Sequence, residues 1–299
     1  DAQESRGLGD VYKRQDYVER QSGLCELALH NFPLLGLGHI RIHNRDGVSY
    51  LQEMLPVDCL FLDPARRDGH GGKTVAISDC EPDVTVLEPL LVDKAKKVMV
   101  KLSPMLDLSL ALNELKTVRA VHIVAVNNEC KELLLILQKE SVSSEVSIHC
   151  EHIAGNGESR HYTFTLKQEK TSPCLLADEV GTYLYEPNAA ILKAGAFRSL
   201  TQTYPVAKLH LNSHLYTSVS LVPDFPGRRF RVEAVSGFGK KELKAFLMDM
   251  DKANITIRNF PLSVAELRKR LKLKEGGDDY IFATTLSGGQ KVLIRGKKC

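Results

Sequence analysis

The residues best placed to do chemistry lie in Leu60-Phe61-Leu62-Asp63-Pro64-Ala65-Arg66-Arg67-Asp68, an apolar run that ends in an acid, a proline and two arginines. A buried strand would carry Asp63 to the carboxyl edge of a sheet, where open α/β folds bind ligands. Pro64 fixes φ and lacks a donor, so neither helix nor ladder continues through it. Asp63 at such a turn could hold or deprotonate an acceptor, with Pro64 directing the peptide outward. Arg66 and Arg67 offer planar forks suited to phosphate or carboxylate. The plainer reading is a strand end whose acid caps a turn and whose arginines are solvated. The concentration of ligand sites at strand carboxyl ends favours the functional one.

Other strand ends carry similar residues. Glu19 closes a strand, where an acid can bind ribose hydroxyls. Asp46-Gly47 follows the next strand and suits either an adenine amino group or a helix N-cap. Lys101-Leu102-Ser103-Pro104 ends another; Lys101 could meet a phosphate, or pair with Asp63 or Asp107. Asn127-Asn128-Glu129-Cys130 follows a fourth, and a thiolate at Cys130 could attack a pyrimidine. No neighbouring cation or His lowers its pKa, so Cys130 is not read as a nucleophile. Gly69-His70-Gly71-Gly72-Lys73-Thr74 lacks the earlier glycine of a P-loop, because Arg67 stands there, and β-prone residues follow it.

The elements that must position these groups alternate between strand and helix from residue 16 to about 140, the mark of βαβ units and a mostly parallel sheet. Strands are expected at Asp16–Glu19, His39–Asn44, Val57–Asp63, Lys97–Leu102 and Ala120–Val126. Helices are expected at Ser22–Leu35, Gly47–Met54, Pro82–Ala95, Leu108–Leu115 and Glu129–Gln138. Val146–Ile153 and His161–Lys167 alternate about Gly155-Asn156-Gly157, an antiparallel hairpin suited to a sheet edge. After a polar linker at 169–182, a helix is expected at Pro187–Ser199 and a strand at Val206–Leu211. The last six elements read βαβαββ: Arg229–Val235, Lys240–Met250, Asn254–Arg258, Val264–Leu271, Tyr280–Leu286 and Lys291–Arg295. Ser263 and Glu266 form a capping box. The expected domains are a non-native or disordered leader (1–15), a Rossmann-like domain (16–168), the linker, and a smaller α/β domain (183–299).

With 299 residues, 43% of them hydrophobic, the chain can fill about two cores. A net charge of +3 gives no global affinity for polyanions. Any nucleic-acid surface would be local. Seven cysteines without a CxxC pair fit reduced thiols in the cytoplasm, and no metal site is expected from them. His210, His214 and Tyr216 lie close in sequence but lack acids, and read as packing or surface. Lys208, Arg228, Arg229, Arg231, Arg258, Arg268, Lys269, Arg270, Lys272 and Lys274 make the C-terminal half basic. No apolar run is long enough to span a membrane.

These residues together resemble a class I S-adenosylmethionine-dependent methyltransferase with a C-terminal THUMP-like domain, of the Bacteroidetes type. The resemblance runs through Tyr17-Val18-Glu19-Arg20, Asp63-Pro64-Ala65-Arg66-Arg67, Lys101-Leu102-Ser103-Pro104-Met105-Leu106-Asp107 and Asn127-Asn128-Glu129-Cys130-Lys131-Glu132-Leu133. It continues in Tyr185-Glu186-Pro187-Asn188-Ala189-Ala190, Asn212-Ser213-His214-Leu215-Tyr216 and Arg258-Asn259-Phe260-Pro261-Leu262-Ser263. It implies a Rossmann-like methyltransferase sheet followed by a smaller α/β THUMP-like domain, with S-adenosylmethionine as cofactor. Glu19 matches the ribose-binding acid, Asp46 the adenine-side acid, and Asp63 with Pro64 the acceptor-side motif. Asp63 would lie beside the transferred methyl group and so counts with Glu19 and Asp46 among the cofactor-binding residues. Arg66, Arg67 and Lys101 would meet the substrate. THUMP domains bind RNA, so the implied substrate is structured RNA such as tRNA. The family's first strand and glycine-rich loop should precede residue 16, and Gly7-Leu8-Gly9-Asp10 only mimics that loop. The expectation is an N-terminally truncated fragment, inactive alone. The rival reading is a non-catalytic RNA-binding protein on a methyltransferase-like fold. An NAD-type oxidoreductase lacks its glycine fingerprint here.

Overall fold

The computed structural model describes residues 14–66, 76–139 and 145–299. Two compact units partition the chain: residues 1–100, 109–117 and 137–140 in the first, and 101–108, 118–136 and 141–299 in the second.

In the first unit, β1 (Asp16–Glu19), α1 (Ser22–Leu34) and β2 (Arg41–Asn44) form a βαβ step whose strands pair in parallel, and α2 (Gly47–Glu53) follows. A second parallel step joins β3 (Val57–Leu62) to β6 (Ala95–Leu102) through α3 (Val84–Lys94), with Leu62 opposite Val100. Between them β4 (Ala65–Arg66) and β5 (Cys80–Glu81) make a short antiparallel pair. Glu88 on α3 is buried yet satisfied, accepting from the Lys116 and Thr117 amides and the Thr117 hydroxyl at 2.7–2.8 Å. That carboxylate ties α3 to the chain just past α4 (Leu108–Glu114).

The stretch expected as a helix at Glu129–Gln138 is instead β8 (Glu129–Leu137), following β7 (Val118–Val126). Asn127 and Asn128 both take positive φ, 51° and 63°. Two such residues make the tight turn that returns a strand antiparallel, and Asn tolerates this region better than most residues. Leu133, Leu135, Ile136 and Leu137 are buried. An apolar run of this length cannot be assigned to helix or strand by periodicity alone, and the turn decides it. The expected hairpin forms as β9 (Ser147–Ile153) and β10 (Ser159–Thr165), with β9 parallel to β7. Within the second unit the strand order is β10-β9-β7-β8.

The rest of the second unit contains α5 (Leu166–Thr171), β11 (Tyr183–Pro187), α6 (Ala189–Ala194), α7 (Leu200–Thr203), β12 (Ala207–Lys208) and β13 (Tyr216–Ser218). The βαβαββ run follows as expected: β14 (Gly227–Ser236), α8 (Lys240–Phe246), β15 (Asn254–Arg258), α9 (Val264–Leu271), β16 (Asp279–Thr285) and β17 (Lys291–Lys298). It is not a separate sheet, since β11–β13 extend it in the order β12-β13-β11-β14-β17-β16-β15. Alternate residues feed two cores. Phe282 and Ile294 pack with Leu184, Leu209 and Phe230, whereas Ile281, Ala283 and Leu293 pack with Phe246, Leu267 and Leu271 of the helices. The expected helix Pro187–Ser199 is shorter. Asn188 caps its start and Gly195, at φ 73°, ends it in the left-handed region. Glu169 then accepts from the amides of Phe197, Arg198 and Ser199 at 2.8–3.0 Å, which holds the start of α7.

The Asn127-Asn128 turn also docks α6, which packs on β7 and β9. The Asn128 side chain accepts from the Ala189 amide at 2.9 Å, and Lys193 donates to the Leu106 carbonyl at 2.7 Å. Beyond α7, His214 stacks on Phe197 with ring centroids 3.6 Å apart. The Lys208 ammonium sits 4.9 Å from the Phe197 ring on the same small cluster. Burial, with Lys208 and Arg258 nearby, depresses the His214 pKa from 6.5 to about 4.

Two consequences can be measured. Asn128→Gly keeps the turn and loses only the bond to Ala189, so Asn128→Ala should cost about 1–2 kcal/mol more in urea unfolding. Equal losses would show that the left-handed conformation is unimportant. His214 stays neutral in the folded chain while the unfolded chain protonates it, so its stabilisation is complete above pH 6.5 and is lost towards pH 4. His214→Phe should flatten the acid side of the stability profile by about 1–2 kcal/mol, allowing for partial exposure. An unchanged profile would refute the shift.

Candidate functional site

In the first unit the candidate acids stand at or just past strand ends. Glu19 is the last residue of β1, Asp46 stands two residues beyond β2, and Asp63 directly follows β3. Pro64 is buried and Asp63 exposed, so the peptide turns outward where the sequence predicts. Arg20, next to Glu19, pairs with Glu81 at 3.2 Å. Glu81 lies opposite Ala65 in the β4–β5 pair, which ties the end of β1 to the segment just past Asp63-Pro64. Arg20 also bears on Asp46. The Ser49 amide chiefly, and Arg20 further, hold that carboxyl below its ordinary range. Glu81 carried no signal in the sequence. Only the pairing of two-residue strands reveals it.

The individual side chains are engaged as follows. Glu19 accepts from the Gln21 amide at 2.8 Å through one oxygen. Asp46 accepts from the Ser49 amide at 2.8 Å and caps α2, the plainer of the two readings given for it. The Arg66 backbone pairs with Cys80. Arg67 and the Gly69–Thr74 loop lie outside the described residues. A carboxylate such as Glu19, with a second oxygen beyond its single turn bond, fits a ribose diol, which needs acceptors for two hydroxyl donors.

In the second unit, the Lys101 ammonium lies 3.7 Å from Glu132. Cys130 lies in a strand, not at the head of a helix as expected, and burial raises its thiol pKa despite Lys193 nearby. It is therefore a poor nucleophile at neutral pH. His210, His214 and Tyr216 do not converge on a metal. His210 Nδ1 faces the Asn212 amide and the Asn259 side chain, His214 is taken up by Phe197, and Tyr216 donates to the Phe197 carbonyl.

Several cations assigned above to the basic half are structural. Lys208 is 2% exposed and donates to the Leu211 carbonyl. Arg228 and Arg258 both clamp Glu186, whose side chain is 4% exposed. Arg268 donates to the Ala253 and Lys274 carbonyls. Lys269, Arg270, Lys272 and Lys274, on and after α9, are exposed, as are Lys240, Lys241 and Lys244 on α8. Arg270 lies 5.2 Å from the Phe238 ring, which stacks on Phe260. Both rings also pack against the core beneath α8 and α9, so Arg270 is held beside them.

No helix among the described residues is long and apolar enough to cross a membrane. Comparison with known proteins adds the following. Residues 183–226 match a family described as a ferredoxin-like domain, and residues 227–298 one described as THUMP domain-like. No curated protein matches the chain. A crystal structure of a "putative methyltransferase from Porphyromonas gingivalis W83" superposes with a TM-score of 0.85 at 36% identity, over 95% of this chain and 71% of that one. The two matched domains share the seven-stranded sheet, because β11 and β13 belong to the first and β14–β17 to the second. By its likeness to that protein and its matched C-terminal domains, the chain belongs to the methyltransferase family that carries a C-terminal THUMP-like domain.

Proposed function

We propose that the chain is an S-adenosylmethionine-dependent methyltransferase acting on structured RNA, with the Rossmann-like part at 16–168 carrying the reaction and the THUMP-like part at 183–299 binding the RNA. The observation that supports this reading is the placing of Glu19, Asp46 and the Asp63-Pro64 turn at or just past the ends of parallel strands, with Arg20 paired to Glu81 opposite the segment after Pro64. Glu19 holds the ribose hydroxyls and Asp46 the adenine side. Asp63 orients the acceptor and takes or holds its proton, with Pro64 shaping the turn and Arg66, Arg67 and Lys101 meeting the RNA backbone. When bound, S-adenosylmethionine supplies a methyl group already activated on a sulfonium. The work left to this chain's residues is mainly alignment. A cytoplasmic setting agrees with the free cysteines.

A second reading, a non-catalytic RNA-binding protein, draws on one observation. Glu19 and Asp46 both spend a carboxylate oxygen on a local backbone amide. Calorimetry with S-adenosylmethionine separates the two. The enzyme reading expects one site, weakened about 10- to 100-fold in Glu19→Ala by loss of a charged hydrogen bond. It also expects Asp63→Asn, at a residue read as both catalytic and cofactor-binding, to lower methyl transfer to RNA at least about 100-fold, well beyond any loss of cofactor affinity. Because the expected first strand and glycine-rich loop precede residue 16, the comparison is made on protein that includes them. Absence of cofactor binding there, with RNA binding kept, would establish the second reading.

The RNA surface has its own test. Replacing Lys269, Arg270, Lys272 and Lys274 by Gln should weaken tRNA binding and flatten its salt dependence by up to about one log unit per lost phosphate contact. An unchanged salt slope would remove α9 from the interface.

A further inference from the structure

We propose that His122, His149 and Glu151 form a binding site for a divalent transition-metal ion on one face of the β7–β9 ladder. The two histidines are direct partners in the parallel register, and their rings lie nearly flat on one another, centroids 4.5 Å apart and planes 10° from parallel. Glu151 stands two residues beyond His149 on the same strand, so it projects from the same face. One ligand atom from each of the three lies within 4.8 Å of the others. Ligands around a tetrahedral ion with bonds of about 2.0–2.2 Å stand about 3.4 Å apart, so small side-chain rotations close the gap. All three are partly exposed, which leaves a path for the ion to enter.

The neighbours of His149 resemble the support that metal-bound imidazoles need. The Ser147 hydroxyl lies 3.1 Å from Nε2 and the Thr163 hydroxyl 3.2 Å from Nδ1. In a neutral imidazole one nitrogen donates and the other accepts. The accepting nitrogen can exchange its rotatable hydroxyl for the metal, while the opposite hydroxyl keeps the ring oriented. Two imidazoles and one carboxylate select zinc, copper, nickel or cobalt over magnesium or calcium, which prefer all-oxygen sets. Three protein ligands leave a fourth position for water or another ligand. The site lies in the second unit, does not draw on the strand-end residues Glu19, Asp46 and Asp63, and requires none of the methyl-transfer reading.

The sequence offers no warning of it. His122 and His149 are 27 positions apart and share no motif, and no metal site is expected from the cysteines. Only the parallel register sets them side by side.

The test is equilibrium dialysis of the whole chain with Zn²⁺, repeated with Co²⁺ to read its visible absorption. One tightly held equivalent is expected. His122→Ala and His149→Ala should each weaken it more than about 100-fold, beyond the 10- to 100-fold expected of the supporting Thr163→Val. Glu151→Gln should also weaken it and alter the Co²⁺ spectrum. Zn²⁺-induced shifts of two histidine ring nitrogens in the unaltered chain would support the site even if a variant failed to fold. Absence of binding, an equivalent that survives all three ligand substitutions, or unchanged ring nitrogens would overturn it.

Discussion

Much of the second unit follows from two asparagines held in a conformation that most residues avoid. Because Asn127 and Asn128 both take positive φ, the chain reverses within two residues, and the apolar run after them enters the sheet as a strand. Had it formed a helix, β7 would not have β8 beside it in the strand order. The other edge of β7 takes β9 in parallel register, which sets His122 beside His149. The same Asn128 side chain receives the first amide of α6. One turn thus sets strand order, a cross-strand histidine pair and the docking of the element that follows β11.

Charge is organised by burial rather than by count. Glu186 sits in β11 with almost no access to water, and an ionised carboxylate there needs partners to offset lost hydration. Arg228, its register partner on β14, and Arg258, at the end of β15, provide them. Those guanidiniums fasten three strands of the seven-stranded sheet and are correspondingly less available to a polyanion. Lys208 is withdrawn in the same way, over Phe197. The basic character left to the surface lies on α8, α9 and the turn after α9, with Arg231 on β14 and Lys291, Lys297 and Lys298 on β17 also exposed.

In the first unit, the end of β1 and the turn after β3 are linked by an exposed ion pair of modest strength. Pairs of that kind contribute little to stability. Arg20–Glu81 matters more as a sign of arrangement: it joins the residue after β1 to the strand paired with the segment just past Asp63-Pro64.

How much of this was legible beforehand depends on how local each cause is. Short-range rules were enough for β1, β15 and α9, for the Ser263 capping box, for the βαβαββ order and for the β9–β10 hairpin, because each is decided by neighbours along the chain. They also placed Asp63-Pro64 at a strand end and Asp46 at a helix start. Sequence periodicity could not tell that Glu129–Leu137 is a strand, since a short apolar run packs equally well in either form. Nor could it see Glu81 beside the Asp63 turn, Glu186 between two arginines, or His122 against His149. Those are pairings between distant strands, set by register and burial, and only the tertiary structure decides which residues meet.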